Sequence, residues 1–181
     1  ASSLDASDRK VLGSSMPTWY GGWNNTVSYK NFDLNVFFRF SGGNKIMNAS
    51  RQSALFNMDF SNNGTEILGR WISPEQPGDG MTPKIGYGDA SSLFNDGYTD
   101  SHFVESGNYL KLSTLALGYT LPKAVVSKLN MTKIRFYVQE QNLLTITGYS
   151  GLDPETNSRL GVDWNGMPQQ RSFTFGANIT F

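Results

Sequence analysis

Apolar and polar residues alternate strictly through the last ten positions of the chain. Phe173, Phe175, Ala177, Ile179 and Phe181 share one face of an extended strand, and Ser172, Thr174, Asn178 and Thr180 share the other. A period of two over that length specifies a β-strand. About ten such residues suffice to cross a membrane with lipid on one side and a wet lumen on the other. A soluble β-sandwich can also end on an amphipathic strand, so this segment alone leaves both readings open.

The same period recurs upstream. Trp19, Trp23, Val27 and Tyr29 fall in register in a strand over about 18–29, and Lys30-Asn31 makes a short reversal. Phe32, Leu34, Val36, Phe38 and Phe40 then alternate with Asp33, Asn35, Arg39 and Ser41 over about 32–41. So tight a link makes these two strands antiparallel neighbours. A third strand, about 109–121, sets Leu115, Leu117, Tyr119 and Leu121 against Thr114, Ala116, Gly118 and Thr120. Leu110 and Leu112 lie in the opposite phase, which predicts an irregularity at Ser113-Thr114. In a fourth, about 133–147, Ile134, Phe136 and Val138 oppose Lys133, Arg135, Tyr137, Gln139 and Gln141, and the phase slips at Asn142-Leu143-Leu144. Such slips mark β-bulges, which are common at barrel rims. The fifth strand is 172–181.

The connections alternate in length. Short links fall at Lys30-Asn31 and at Pro122–Met131, where Pro122 ends a strand and 123–129 has room for one or two helical turns. Long ones cover 42–101 and 148–171. The first holds an expected helix near 65–72 and the Pro/Gly-rich run Ser73–Gly80. Outer-membrane barrels show this asymmetry, with short periplasmic turns and long outer loops. Five strands cannot close a barrel, so the pattern predicts a portion of a larger one.

Composition narrows the field. The 181 residues hold 12 Phe, 8 Tyr and 4 Trp but are only 38% hydrophobic, and no apolar run reaches membrane-helix length. Formal net charge is zero, which gives no sign of a nucleic-acid partner. Without Cys there is no disulfide scaffold or thiolate chemistry, and no signal peptide opens the chain. The single histidine, His102, has no companion ligand in sequence. Gly148-Tyr149-Ser150-Gly151 lacks the spacing of a nucleophile elbow. Asp153, Glu155, Asn157, Asp163 and Asn165 gather oxygen donors in one loop, but not at calcium-loop spacing. No enzyme and no cofactor are expected. Trp71, Tyr87, Tyr98, Tyr149 and Trp164 fall in the long connections, where aromatic faces can stack on sugar rings or pack against a partner. Trp19, Trp23 and Tyr29 suit an interfacial aromatic girdle.

A set of segments in order resembles SusC/RagA-type TonB-dependent transporters. They are Tyr29–Leu34, Tyr109–Pro122 ending in Gly118-Tyr119-Thr120-Leu121-Pro122, Tyr137–Thr145, Tyr149–Glu155, and Gly161–Trp164 with Met167–Gly176. Glu140, Leu152 and Met167 depart from the usual residues, Gly or Ala at the first and an aromatic at the others.

The resemblance implies an all-β fold, the C-terminal five antiparallel strands of a barrel of about 22. It implies a place in the outer membrane of a Gram-negative bacterium and import of oligosaccharides or peptides. A SusD-like surface lipoprotein lids such barrels, and TonB is contacted through an N-terminal part not represented here. In that family the barrel-assembly machinery reads the terminal strand, here Phe173, Phe175, Ile179 and Phe181. A secreted β-sandwich that binds carbohydrate is the alternative.

Overall fold

A computed structural model of the chain describes residues 6–52, 62–84, 101–155 and 160–181. Its strands are β1 (Trp19–Tyr29), β2 (Phe32–Gly42), β3 (Lys45–Asn48), β4 (Val104–Ser106), β5 (Tyr109–Thr120), β6 (Lys133–Thr147), β7 (Val162–Asp163) and β8 (Ser172–Thr180). They belong to two compact units. A sheet unit comprises residues 17–43, 107–148 and 168–181, and a loop unit comprises 1–16, 44–106 and 149–167.

The sheet unit is one antiparallel sheet in the order β1-β2-β5-β6-β8. Register settles which residues share a face. Trp23 lies opposite Phe38, Val36 opposite Leu115, Leu117 opposite Val138, and Val138 opposite Phe175. One apolar stripe therefore runs across all five strands. Its aromatic members meet in pairs, with Trp23 and Phe38 stacked at 5.7 Å and Phe32 tilted on Tyr119 at 4.6 Å. These contacts do not cover the stripe, since Trp23 is 56% exposed and Phe175 78%.

The other face is polar and internally bonded. Asn35 Nδ2 donates to Asn24 Oδ1 (2.8 Å) and Thr26 Oγ1 (2.9 Å). Arg135 spans β5 to reach Asp33, with Nε on Oδ1 at 2.9 Å. Gly118 is the residue it crosses, and a Cβ there would collide with the Arg135 guanidinium. One exposed apolar face and one hydrogen-bonded polar face is the pattern of a barrel wall between lipid and lumen. A sandwich would have to cover the apolar face with a second sheet, and the sheet unit holds one sheet.

Two local devices shape the sheet. Ser113 is an extra residue between Leu112 and Thr114 relative to β2, and β6 answers with an extra residue around Asn142, whose φ is 56°. These are the two predicted slips, and they are β-bulges. At the opposite end the turns are short. Lys30 takes φ 53° in the two-residue β1–β2 hairpin, as hairpin turns of primed type demand. After Pro122, helix α1 (Lys123–Val126) and a 3₁₀ turn close on Asn130, whose left-handed φ of 56° lets its N–H bond Ser127 O at 3.2 Å.

In the loop unit, β3 pairs antiparallel with β4 and parallel with β7. Ile46 and Phe103 are fully buried there. The long connections thus contribute strands of their own. The helix expected near 65–72 is a 3₁₀ segment, Thr65–Gly69, followed by a turn bridged at Ser73 and Gln76. Gly69 and Gly64 flank too short an apolar run for an α-helix to be stable. No helix among the described residues is long and apolar enough to cross a membrane, which has no bearing on strands.

Candidate ligand-contact site in the loop unit

Two separate stretches of the loop unit, 48–51 and the turn at Ser150, converge on Glu105 in β4. Ser150 donates to it through both its backbone N–H and its hydroxyl, each at 2.7 Å. Asn48, at the end of β3, donates at 3.3 Å, and Arg51 at 3.4 Å. A carboxylate with this many donors is a strong fixed point, because charged hydrogen bonds exceed neutral ones in strength. Arg51 also grips Glu66 at 2.7–3.0 Å and lies 5.6 Å from the Phe103 ring centroid. The Glu66 carboxylate, more than any other group, holds the Arg51 guanidinium protonated beyond its usual range.

A second fixed point is Asp163 in β7. Its Oδ1 accepts Asn165 N–H (2.9 Å) and Gly166 N–H (3.3 Å), an Asx turn that shapes the following loop. Its Oδ2 accepts the Tyr149 hydroxyl at 2.6 Å. Burial first, and the bonded Asp163 carboxylate second, push the Tyr149 phenol well above its usual range, so it stays a donor.

Between these points lies a cavity of about 240 Å³. It is lined by Asn48, Ser50, Arg51 and Glu66 together with Ser150, Gly151, Leu152, Asp163 and Asn165. Its lining residues carry amides, hydroxyls and charged groups, several already held by internal bonds, but most of the surface they expose to it is apolar. Such a surface presents oriented donors and acceptors without rearrangement, as recognition of a polar ligand requires. Nucleophile–base geometry is not part of it.

The aromatic candidates are placed differently from one another. Trp164, 71% exposed, stands in sequence between Asp163 and Asn165, both of which line the cavity, but does not line it itself. Trp71 is partly exposed, with the Lys84 ammonium 5.8 Å from its ring centroid. Tyr149, only 5% exposed, packs its ring on Gly151 and positions Asp163. Tyr87 and Tyr98 lie outside the described residues. Phe173, Phe175 and Ile179 stand exposed on the apolar face of β8, and Phe181 follows the strand's last residue. Asp153 closes its own turn on Glu155 N–H (3.0 Å), and the described residues hold no cluster of three metal-binding side chains. Arg51, Glu66 and Glu105 were not singled out from sequence. They are separated by up to fifty-four residues, and no local motif links them.

No family model matches the chain. It is 32% identical to TonB-dependent receptor P3 of Formosa agariphila over 98% of its own length, which is 18% of that receptor. It is 25% identical to TonB-dependent receptor SusC of Bacteroides thetaiotaomicron, again over 98% of this chain and 16% of the other. Among solved structures, the RagAB peptide importer superimposes on all of this chain with a TM-score of 0.81 in its open-open state and 0.82 in its closed-closed state. Identity is 25%, and 19% of the importer chain is covered. The chain thus spans under a fifth of each relative, and these relatives are receptors and importers, not enzymes.

Proposed function

We propose, from the premise that this chain matches a portion of a SusC/RagA-type TonB-dependent receptor, that it is part of the wall and outer mouth of an outer-membrane nutrient importer. In this reading the five-stranded sheet is barrel wall, and the loop unit is outer-loop structure that meets nutrient or lid. The observation that carries it is the face asymmetry of the sheet, an exposed Phe/Leu/Val stripe backed by a bonded polar face. Transport is by binding and gated passage, with energy delivered through TonB by parts of the receptor beyond this chain. The lid is a SusD-like lipoprotein of the cell surface. The nutrient is an oligosaccharide or a peptide, and both suit a cavity whose mostly apolar surface carries amide and carboxylate groups that can bond hydroxyls or backbone groups alike. Terminal-strand residues Phe173, Phe175, Ile179 and Phe181 serve the barrel-assembly machinery.

The test uses the full-length receptor in its native membrane. Trp71 N–H bonds Thr82 O at 2.9 Å, so the ends of the Ser73–Gly80 excursion lie close together and a short linker can replace it. Its deletion should weaken co-purification of the surface lipoprotein and lower uptake, with the receptor still assembled. If both survive the deletion, the Pro/Gly-rich segment is only a spacer. Fractionation of the full-length protein with soluble proteins would overturn the membrane reading itself.

A further inference from the structure

The zero net charge of the chain conceals a segregation. The loop unit holds thirteen Asp and Glu against seven Lys and Arg, whereas the sheet unit holds two against eight. The imbalance reaches the cavity between Glu105 and Asp163. Three carboxylates, Glu66, Glu105 and Asp163, line it or bond its wall, with one guanidinium, Arg51, among them. At about 240 Å³ the cavity is smaller than a whole small-molecule site of about 300–1,000 Å³, so it fits one unit of a longer chain.

Hydrogen bonding adds a second asymmetry, because the side-chain donors on the wall are largely spent inside the protein. Arg51 places its five N–H groups on Glu66, Glu105 and the carbonyl and ring of His102. Asn48 Nδ2 donates to Glu105 and to Ser150 Oγ, Ser150 Oγ donates to Glu105, and Ser50 Oγ donates to the Asp163 carbonyl. Of the lining side-chain donors among the described residues, the Asn165 amide alone is uncommitted. Acceptors are in surplus. The Glu66 side chain is 42% exposed, and among the described residues its Oε1 takes a single bond, from Arg51 Nε at 3.0 Å. A carboxylate has about four lone-pair sites, so Glu66 has room for a further donor.

We propose that this cavity is a subsite for a protonated amine of the nutrient, with Glu66 as its acceptor, and that it turns away carboxylated and sulfated units. The assignment rests on the reading of the loop unit as nutrient-contacting and narrows it to one chemistry. A protonated amine is donor-only, so it meets the spare acceptors without calling on any spent donor. The mostly apolar exposed surface suits the carbon skeleton that carries the amine, whether a lysine stem or the C–H face of an amino sugar. A carboxylate or sulfate brings only acceptors. It would find the Asn165 amide as its one uncommitted side-chain donor and would enter against the acidic balance of the whole unit.

The experiment measures amide exchange at 48–51, 150–152 and 163–166 in the full-length receptor with its surface lipoprotein, in detergent. The probes are end-blocked alanine pentapeptides with Lys, Gln or Glu at the centre, and the trimers of glucosamine and of N-acetylglucosamine. The Lys peptide or the glucosamine trimer should slow exchange at these segments at a concentration about tenfold below that of its neutral counterpart. The Glu peptide should have no effect. Which of the two amines acts tells a peptide source from a sugar source. Glu66→Gln keeps a bond to Arg51 but removes the charge, and should erase the tenfold margin without altering exchange in the absence of probe. Glu66→Asp keeps the charge and should retain the margin. Equal protection by cationic and neutral probes, protection by the Glu peptide, or a margin indifferent to Glu66→Gln would overturn the amine assignment and leave the nutrient-contact reading standing. Protection by no probe would overturn both.

Discussion

Placing Arg at Phe175 tests whether the apolar stripe faces lipid, because the cost of a charge there depends on depth. Phe175 pairs with Val138, five residues into β6 from Lys133. At about 3.4 Å per residue and a strand tilt of about 40°, that is about 13 Å along the membrane normal. The apolar band of an outer-membrane barrel is about 25 Å tall, so Phe175 lies near its midplane. Phe175→Arg should therefore cost about 2–4 kcal/mol. Ile179 pairs with Ile134, one residue from Lys133, and Ile179→Arg should cost only about 0–1 kcal/mol. Thr174 lies on the polar face opposite Gln139, and Thr174→Arg should cost little. Urea-dependent folding of the full-length receptor into lipid vesicles, followed by tryptophan fluorescence, measures all three. Equal costs for Phe175→Arg and Thr174→Arg would refute the assignment of faces. A cost for Ile179→Arg matching that of Phe175→Arg would refute the depth argument.

The sheet was largely legible because each strand repeats a two-residue period, and periodicity is a local property. Even the bulges showed as phase slips, at Ser113 and near Asn142. The loop unit was opaque for the converse reason. β3, β4 and β7 are four, three and two residues long, too short to display a period, and they pair across 57 or more positions in the chain. Glu66, Glu105 and Arg51 assemble only once those pairings exist. The Tyr149 side chain illustrates the limit well. An aromatic in a loop reads as a contact surface, yet a buried acceptor on Asp163 turned it inward. Charge segregation escaped because net charge was summed over a chain whose two units carry opposite balances.

Two smaller changes probe the buried polar groups. Tyr149→Phe strands Asp163 Oδ2 and should destabilise the loop unit by about 1–3 kcal/mol, seen as faster amide exchange around 149–166. Since the Tyr149 phenol is raised above its unfolded value of about 10, its contribution is complete below that pH and is lost as pH climbs past it. Amide exchange in the wild-type receptor should thus quicken in alkali, and Tyr149→Phe should remove that particular dependence. Glu140 predicts the opposite sign. Register puts it on the apolar face, between Leu115 and Phe173, where it is 8% exposed and its Oε1 has no hydrogen-bond partner. Ser113, the bulged residue of β5, likewise leaves its hydroxyl without one. Burying a polar atom without a partner costs about 1–3 kcal/mol, and a carboxylate oxygen more. Glu140→Ala keeps strand backbone bonding intact and removes that cost, so the thermal midpoint of the full-length receptor in detergent should rise. Glu140→Gln keeps the shape and an unpartnered oxygen, and should recover less of the gain. A fall in stability with Glu140→Ala would mean that the carboxylate has a partner elsewhere in the assembled barrel, and that its place on the apolar face is an interface with it.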